Sequence, residues 1–153
     1  MDEPVEWMVF KCGDDPSSTD PAEDENRGLR PAQDDVVSVS GRLIGGCCDV
    51  IDWIAGTSYE DLEGFCERYK DDGIIWYLES FALGSEALMM GLWQLKTIGW
   101  FEHAKGIVFG RPMFYESFSE TSYEEAVMTR LGDLNIPIIL DADIGHKGPQ
   151  FNR

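Results

Sequence analysis

Apolar positions along this chain fall into short runs separated by charged or glycine-rich stretches. "VEWMVFKC", roughly residues 5–12, reads as a first strand. "VVSVSGRLIGG" (36–46) alternates, is rich in valine and meets a glycine pair, the pattern of a strand entering a tight turn. "CDVIDWIAG" (48–56) has the spacing of a short helix ended by Gly56, and "SYEDLEGFCERYK" (58–70) holds another turn or two of helix. "GIIWYLE" (73–79) is an apolar strand that ends on a carboxylate. "SEALMMGLWQLKTIG" (85–99) puts Leu88, Leu92 and Leu95 on one helical face, with Met89 and Trp93 beside it. Ser85 is placed to cap its start and Gly99 to end it. "KGIVFG" (105–110) is a further buried strand, and "SYEEAVMTRLGDL" (122–134) a second amphipathic helix with Ser122 ahead of Glu124 and Glu125. "IPIILDA" (136–142) is the last strand. The strand–helix alternation from 73 to 142 predicts right-handed crossovers and a largely parallel sheet, an α/β class of fold.

One stretch breaks the pattern. Residues 13–35, "GDDPSSTDPAEDENRGLRPAQDD", carry three prolines, many acids and Leu29 as the single large apolar residue. Such a segment buries little surface and is expected to be an acidic mobile loop or insertion. The chain has 153 residues, enough for one domain with a real core. Its net charge of −17 opposes nucleic acid and anionic membrane as partners. The N-terminus is acidic and lacks the basic and long apolar regions of a signal peptide, and no apolar run approaches a membrane span. The four cysteines, Cys12, Cys47, Cys48 and Cys66, contain no C-x-x-C pair and read as free thiols of a reducing cytosol.

Chemistry concentrates at two strand ends. Glu79 closes "IIWYLE", and His146 lies in the Gly-His-Lys-Gly-Pro turn beyond "IPIILDAD". Reactive groups in α/β sheets gather at the carboxyl ends of strands, where a rigid core positions the loops. A carboxylate there can hold an imidazole in one tautomer, and the imidazole can then act as general base. The ordinary alternatives are a solvated boundary glutamate and a plain turn histidine. Asp141, Asp143 and His146 are also close in sequence and could form a hard-ligand metal site, although no H-E-x-x-H or cysteine cluster supports it. His103, near a helix end, is better explained by the helix dipole than by catalysis. No nucleophile is visible: there is no G-x-S-x-G elbow, and the side chain of Ser80 should point away from Glu79. Cys47 and Cys48 follow "GRLIGG" and would gain a lowered pKa at a helix N-terminus, yet thiols in a packed turn are more often structural. "GRLIGG" itself lacks the spacing and terminal Lys-Ser/Thr of a Walker loop.

"SGRLIGGCCDVIDWIAGT", "GIIWYLES", "LWQLKTIGWFEHAKGIVFGRP" and "IPIILDADIGHKGPQ", in this order, resemble the C-terminal domain of the LD-carboxypeptidase family of serine peptidases. That family includes murein tetrapeptide carboxypeptidases and microcin-resistance hydrolases, and the match spans roughly residues 39–150. The resemblance implies a domain of swivelling β/β/α type, a compact, mostly parallel sheet with packed helices. It implies a Ser-Glu-His triad in which Glu79 and His146 are the two members carried here, the serine belonging to an N-terminal nucleophile domain outside this chain. It further implies a cytoplasmic enzyme, inactive as this piece alone, with a small peptide substrate, no cofactor, no metal, and homodimer formation. The family continues past "GPQ" into another short strand, so the sheet is expected to lack an edge and the His146 turn to be loosely held.

The resemblance leaves the substrate-binding residues open, and with them the choice between an LD-linked murein peptide and a peptidyl or aminoacyl nucleotide. A reading from another class is a catalytically silent binding domain of the same fold.

Overall fold

The computed structural model describes residues 9–10 and 38–149. The acidic segment 13–35 lies outside the described residues.

Five strands form one sheet: β1 Val9–Phe10, β2 Arg42–Cys47, β3 Ile74–Glu79, β4 Ala104–Gly110 and β5 Ile138–Ala142, in the spatial order β1-β5-β4-β3-β2. β2 to β5 run parallel. β1 pairs antiparallel with β5, Val9 opposite Ile139. The edge expected to be missing beyond β5 is thus occupied by residues from the start of the chain.

Helices α1 Cys48–Ile54, α2 Leu62–Tyr69, α3 Ser85–Thr97 and α4 Tyr123–Leu131 form the connections, with a 3₁₀ turn at Gly132–Leu134. The period-2 alternation of each strand sends one set of side chains under these helices. Trp76 and Leu78 of β3, Ile107 and Phe109 of β4, and Ile138 and Leu140 of β5 are buried there with Leu88, Leu92 and Leu95 of α3 and Val127 and Leu131 of α4. Each such side chain contributes about 1.5–3 kcal/mol by leaving water. Trp76 stacks on Trp100 with ring centroids 5.1 Å apart. The architecture is that of an α/β swivelling domain, a compact and mostly parallel sheet with packed helices. Among the described residues no helix is long and apolar enough to cross a membrane.

Two local readings need adjustment. Ser122 does cap α4: its hydroxyl accepts from the Glu125 N–H while the Glu125 carboxylate accepts from the Ser122 N–H. Ser85 does not cap α3. Gly84 holds the N-cap position, and the buried Ser85 hydroxyl donates to the Ser117 hydroxyl at 2.8 Å instead. Strand β2 also starts later than the valine pattern suggests. Arg42 pairs with Ile74, so pairing begins only where β3 begins.

Candidate active site

The carboxyl ends of β2, β3 and β5 converge. Cys47 is the last residue of β2, and its Cα pairs with that of Glu79, the last residue of β3. His146 follows β5, and β4 lies between β3 and β5. The chain beyond β5 must therefore pass over the end of β4 to reach Glu79. Gly110 permits this: a Cβ there would lie 2.4 Å from the Ile144 carbonyl oxygen and 3.1 Å from the Glu79 Cβ. Gly145 has φ +93°, and a Cβ on it would lie 2.7 Å from Glu79. Glycine is required there both for the left-handed backbone and for the close approach.

The result is a hydrogen-bonded pair. His146 Nδ1 lies 2.8 Å from Glu79 Oε1, and the His146 backbone N–H donates to Glu79 Oε2 at 3.4 Å. Glu79 is 5% exposed and the His146 side chain 51% exposed. A buried carboxylate thus holds a ring whose other edge remains accessible. Because the carboxylate accepts at Nδ1, the neutral ring carries its proton there and Nε2 is left as the acceptor. Glu79 and His146, paired as candidates from their strand ends, are therefore together in space, across a separation of 67 residues.

Neighbouring groups hold this arrangement in place. Arg111, at the end of β4, donates through Nη1 to the Asp141 carbonyl at 3.1 Å and through Nη2 to the Pro149 carbonyl at 2.7 Å. It also pairs with the Asp143 carboxylate at 2.5 Å. The His146 turn is thus clamped at both ends, against the expectation of a loose turn. Asp49, in the first turn of α1, accepts from the Phe81 and Ala82 N–H groups at 2.8 and 2.9 Å and so orders the loop after Glu79. That loop brings the Phe81 ring against His146, edge-on at 4.9 Å between centroids, and Phe114 packs on Phe81 in turn at 5.3 Å.

Other sequence candidates fare differently. Asp143 is committed to Arg111, and Asp141 and Asp143 do not join His146 in a ligand cluster; among the described residues the one cluster of metal-ligand type is Cys47, Glu79 and His146. Cys47 is not an activated thiol. Burial, followed by a hydrogen bond to Glu79 and repulsion from its charge, pushes its pKa up to about 11, so it stays protonated at neutral pH. Burial also holds the Cys48 thiol well above its usual range. His103 sits in the turn before β4, beside an acidic cleft lined by Glu60, Glu63, Glu67 and Glu102, away from the pair. Ser80 is fully buried, in no position to attack a substrate.

Sequence reasoning missed Cys47 as a neighbour of the pair, and missed Asp49 and Arg111 as its supports. The register of β2 on β3 makes Cys47 a neighbour, and no local motif announces register.

Comparison with known proteins bears on the family and the fold. The model of the LD-carboxypeptidase C-terminal domain matches residues 40–152, well over half of the chain. No curated protein matches the sequence. Among solved structures, the microcin C7 self-immunity protein MccF, in its inactive-mutant apo state, superposes with a TM-score of 0.61 at 21% identity, over 73% of this chain and 32% of that one. A muramoyltetrapeptide carboxypeptidase from Oxalobacter formigenes gives 0.59 at 22% identity, over 72% and 36%. An MccF-like protein from Bacillus anthracis str. Ames gives 0.50 at 30% identity, over 74% and 33%. This chain therefore spans about a third of the length of the structures it matches. With its family pattern running from before β2 to beyond the turn after β5, and so through Cys47, Glu79 and His146, the chain belongs to the LD-carboxypeptidase C-terminal domain family.

Proposed function

We propose that this chain supplies the acid–base half of a cytosolic serine LD-carboxypeptidase, Glu79 and His146 being two members of a Ser-Glu-His triad whose serine is carried by a separate nucleophile domain. The observation that carries the reading is the 2.8 Å bond between His146 Nδ1 and the buried Glu79 carboxylate. In this scheme Glu79 fixes the ring and stabilises its positive charge. Nε2 takes the proton of the serine hydroxyl as its oxygen attacks the carbonyl of the LD bond. The imidazolium then returns that proton to the leaving amine of the terminal D-amino acid, and a water attacks the acyl-serine by the same route in reverse. Exposed apolar side chains beside the pair, Phe81, Phe114 and Met113, suit the docking of a second domain or of substrate.

A second substrate class has its own support. MccF has been solved with glutamyl sulfamoyl guanosine and with aspartyl sulfamoyl adenosine. The Phe81 and Phe114 rings beside His146 offer faces on which a nucleobase can stack.

The test is to assay this chain, a serine-bearing domain of the family, and their mixture against an LD-linked tetrapeptide and an aminoacyl-nucleotide analogue. Turnover is expected from the mixture and none at an ordinary enzyme rate from this chain alone. Turnover by the chain alone, blocked by a serine-directed reagent, would reveal a nucleophile within it and sink the divided-triad reading.

A further inference from the structure

Three ligands of three different kinds meet at the candidate site: the Cys47 thiol, the Glu79 carboxylate and a ring nitrogen of His146. One ligand atom from each lies within 4.8 Å of the other two. The Ser-Glu-His scheme uses Glu79 and His146 and gives Cys47 no task. We propose that Cys47, Glu79 and His146 form a three-ligand site for Zn²⁺ that, when filled, blocks the catalytic pair. The inhibitory part of this inference rests on the proposed function; the metal site itself does not.

Chemistry selects the ion. A thiolate and an imidazole favour borderline-soft Zn²⁺ over Ca²⁺ or Mg²⁺, which take oxygen ligands. Zinc holds sulfur at about 2.3 Å and nitrogen or oxygen at about 2.0–2.2 Å, so its ligand atoms sit roughly 3.5 Å apart around a tetrahedron. Closing the present spacing requires side-chain movements of about 1 Å, and the His146 side chain, half-exposed on its clamped turn, is the group with room to make them. The three ligands come from the ends of β2 and β3 and the turn after β5, so the rigid sheet fixes two of them. The fourth position falls to water, on the side where His146 faces solvent. Asp49 is poised behind the sulfur, its carboxylate 3.5 Å from Cys47 Sγ. Binding releases one proton: Zn²⁺ takes the Cys47 sulfur and the thiol proton leaves to solvent, while coordination through Nδ1 shifts the ring proton from Nδ1 to Nε2. Once Glu79 and the ring are committed to a cation, His146 can no longer be oriented by the carboxylate and accept a proton from a nucleophile.

Alternative sites on the chain supply the controls. Cys66 and His103 line the acidic cleft with Glu60, Glu63, Glu67 and Glu102, but their ligand atoms do not converge as a cluster. The experiment uses the full 153-residue chain with Zn²⁺, and with Co²⁺ as its coloured substitute. One metal per chain is expected, with a thiolate-to-Co²⁺ charge-transfer band in the near ultraviolet. The band should vanish in Cys47→Ser and persist in Cys66→Ser and Cys12→Ser, and Zn²⁺ affinity should fall about tenfold or more in Cys47→Ser. Should Cys47→Ser fail to fold, His146→Gln, altered on an exposed turn, is expected to lose affinity equally. Absence of metal uptake, or a band that survives in Cys47→Ser, would overturn the site. With the serine-bearing domain added, Zn²⁺ should suppress turnover and a chelator restore it; full turnover with metal bound would overturn the inhibitory role. A Glu79→Gln protein with undiminished turnover would instead refute the catalytic reading, while the binding results stood on their own.

Discussion

Glu79 is constrained on every side. One oxygen meets the His146 ring, the other the His146 N–H, and its Cβ and Cγ leave no room for a side chain on Gly145. Gly145→Ala would add both a steric clash at 2.7 Å and a disfavoured positive φ. It is expected to destabilise the domain by about 1–3 kcal/mol in denaturant titrations and to displace the carboxylate. Unchanged stability would mean that the turn relaxes freely. Glu79→Gln keeps the shape and removes the charge. With the serine-bearing domain present, turnover should fall about 10³–10⁴-fold with the melting behaviour little changed, and a loss below about tenfold would remove Glu79 from the triad. Both members of the pair were legible in the sequence because each stands at a motif: a carboxylate ending an apolar strand, and a histidine in a glycine turn. Cys47 was read as a structural or activated thiol. Its actual environment depends on a partner strand 32 positions on, which local chemistry does not encode.

At the level of elements, strands were the easier reading. β3, β4 and β5 are parallel and central, so long apolar runs mark them directly. The start of β2 was not legible, because the alternation of Val36, Val37 and Val39 continues past the point where β3 stops offering partners. The Ser122 capping box formed as its spacing suggested, whereas the Ser85 hydroxyl was drawn to Ser117, a contact 32 residues away. Helix α1 carries an unfavourable group. Burial, with a further contribution from Asp49, raises Asp52 from 3.8 to about 6, and its Oδ1 is buried among the described residues without a hydrogen-bond partner. A carboxyl whose folded pKa lies above its unfolded value favours folding fully below about pH 4, and that contribution is lost as pH rises through about 6. Asp52→Asn should therefore raise stability at pH 8 relative to the parent and give no such gain at pH 4. Because the group is only half-buried, the gain should not exceed about 1 kcal/mol. Thermal unfolding at the two pH values checks this; an equal shift at both would assign the effect to packing.

For the molecule as a whole, the parallel order β5-β4-β3-β2 accounts for the site. It sets the ends of β2 and β3 side by side and makes the chain after β5 cross Gly110 to reach them, so residues 47, 79 and 146 meet although nothing in their local sequence links them. Fold class was legible from strand–helix alternation. Family membership was legible from four stretches in fixed order, none of which holds a G-x-S-x-G elbow. The central claim is that Glu79 fixes the His146 ring with its proton on Nδ1 and leaves Nε2 to accept a proton. Nitrogen NMR of the imidazoles tests it most directly on this chain, at a pH where the ring is neutral, with His146→Gln assigning the signal against His103. The account predicts a ring protonated at Nδ1 in the parent and loss of that single tautomer in Glu79→Gln. A ring protonated at Nε2 in the parent, unchanged by Glu79→Gln, would contradict it.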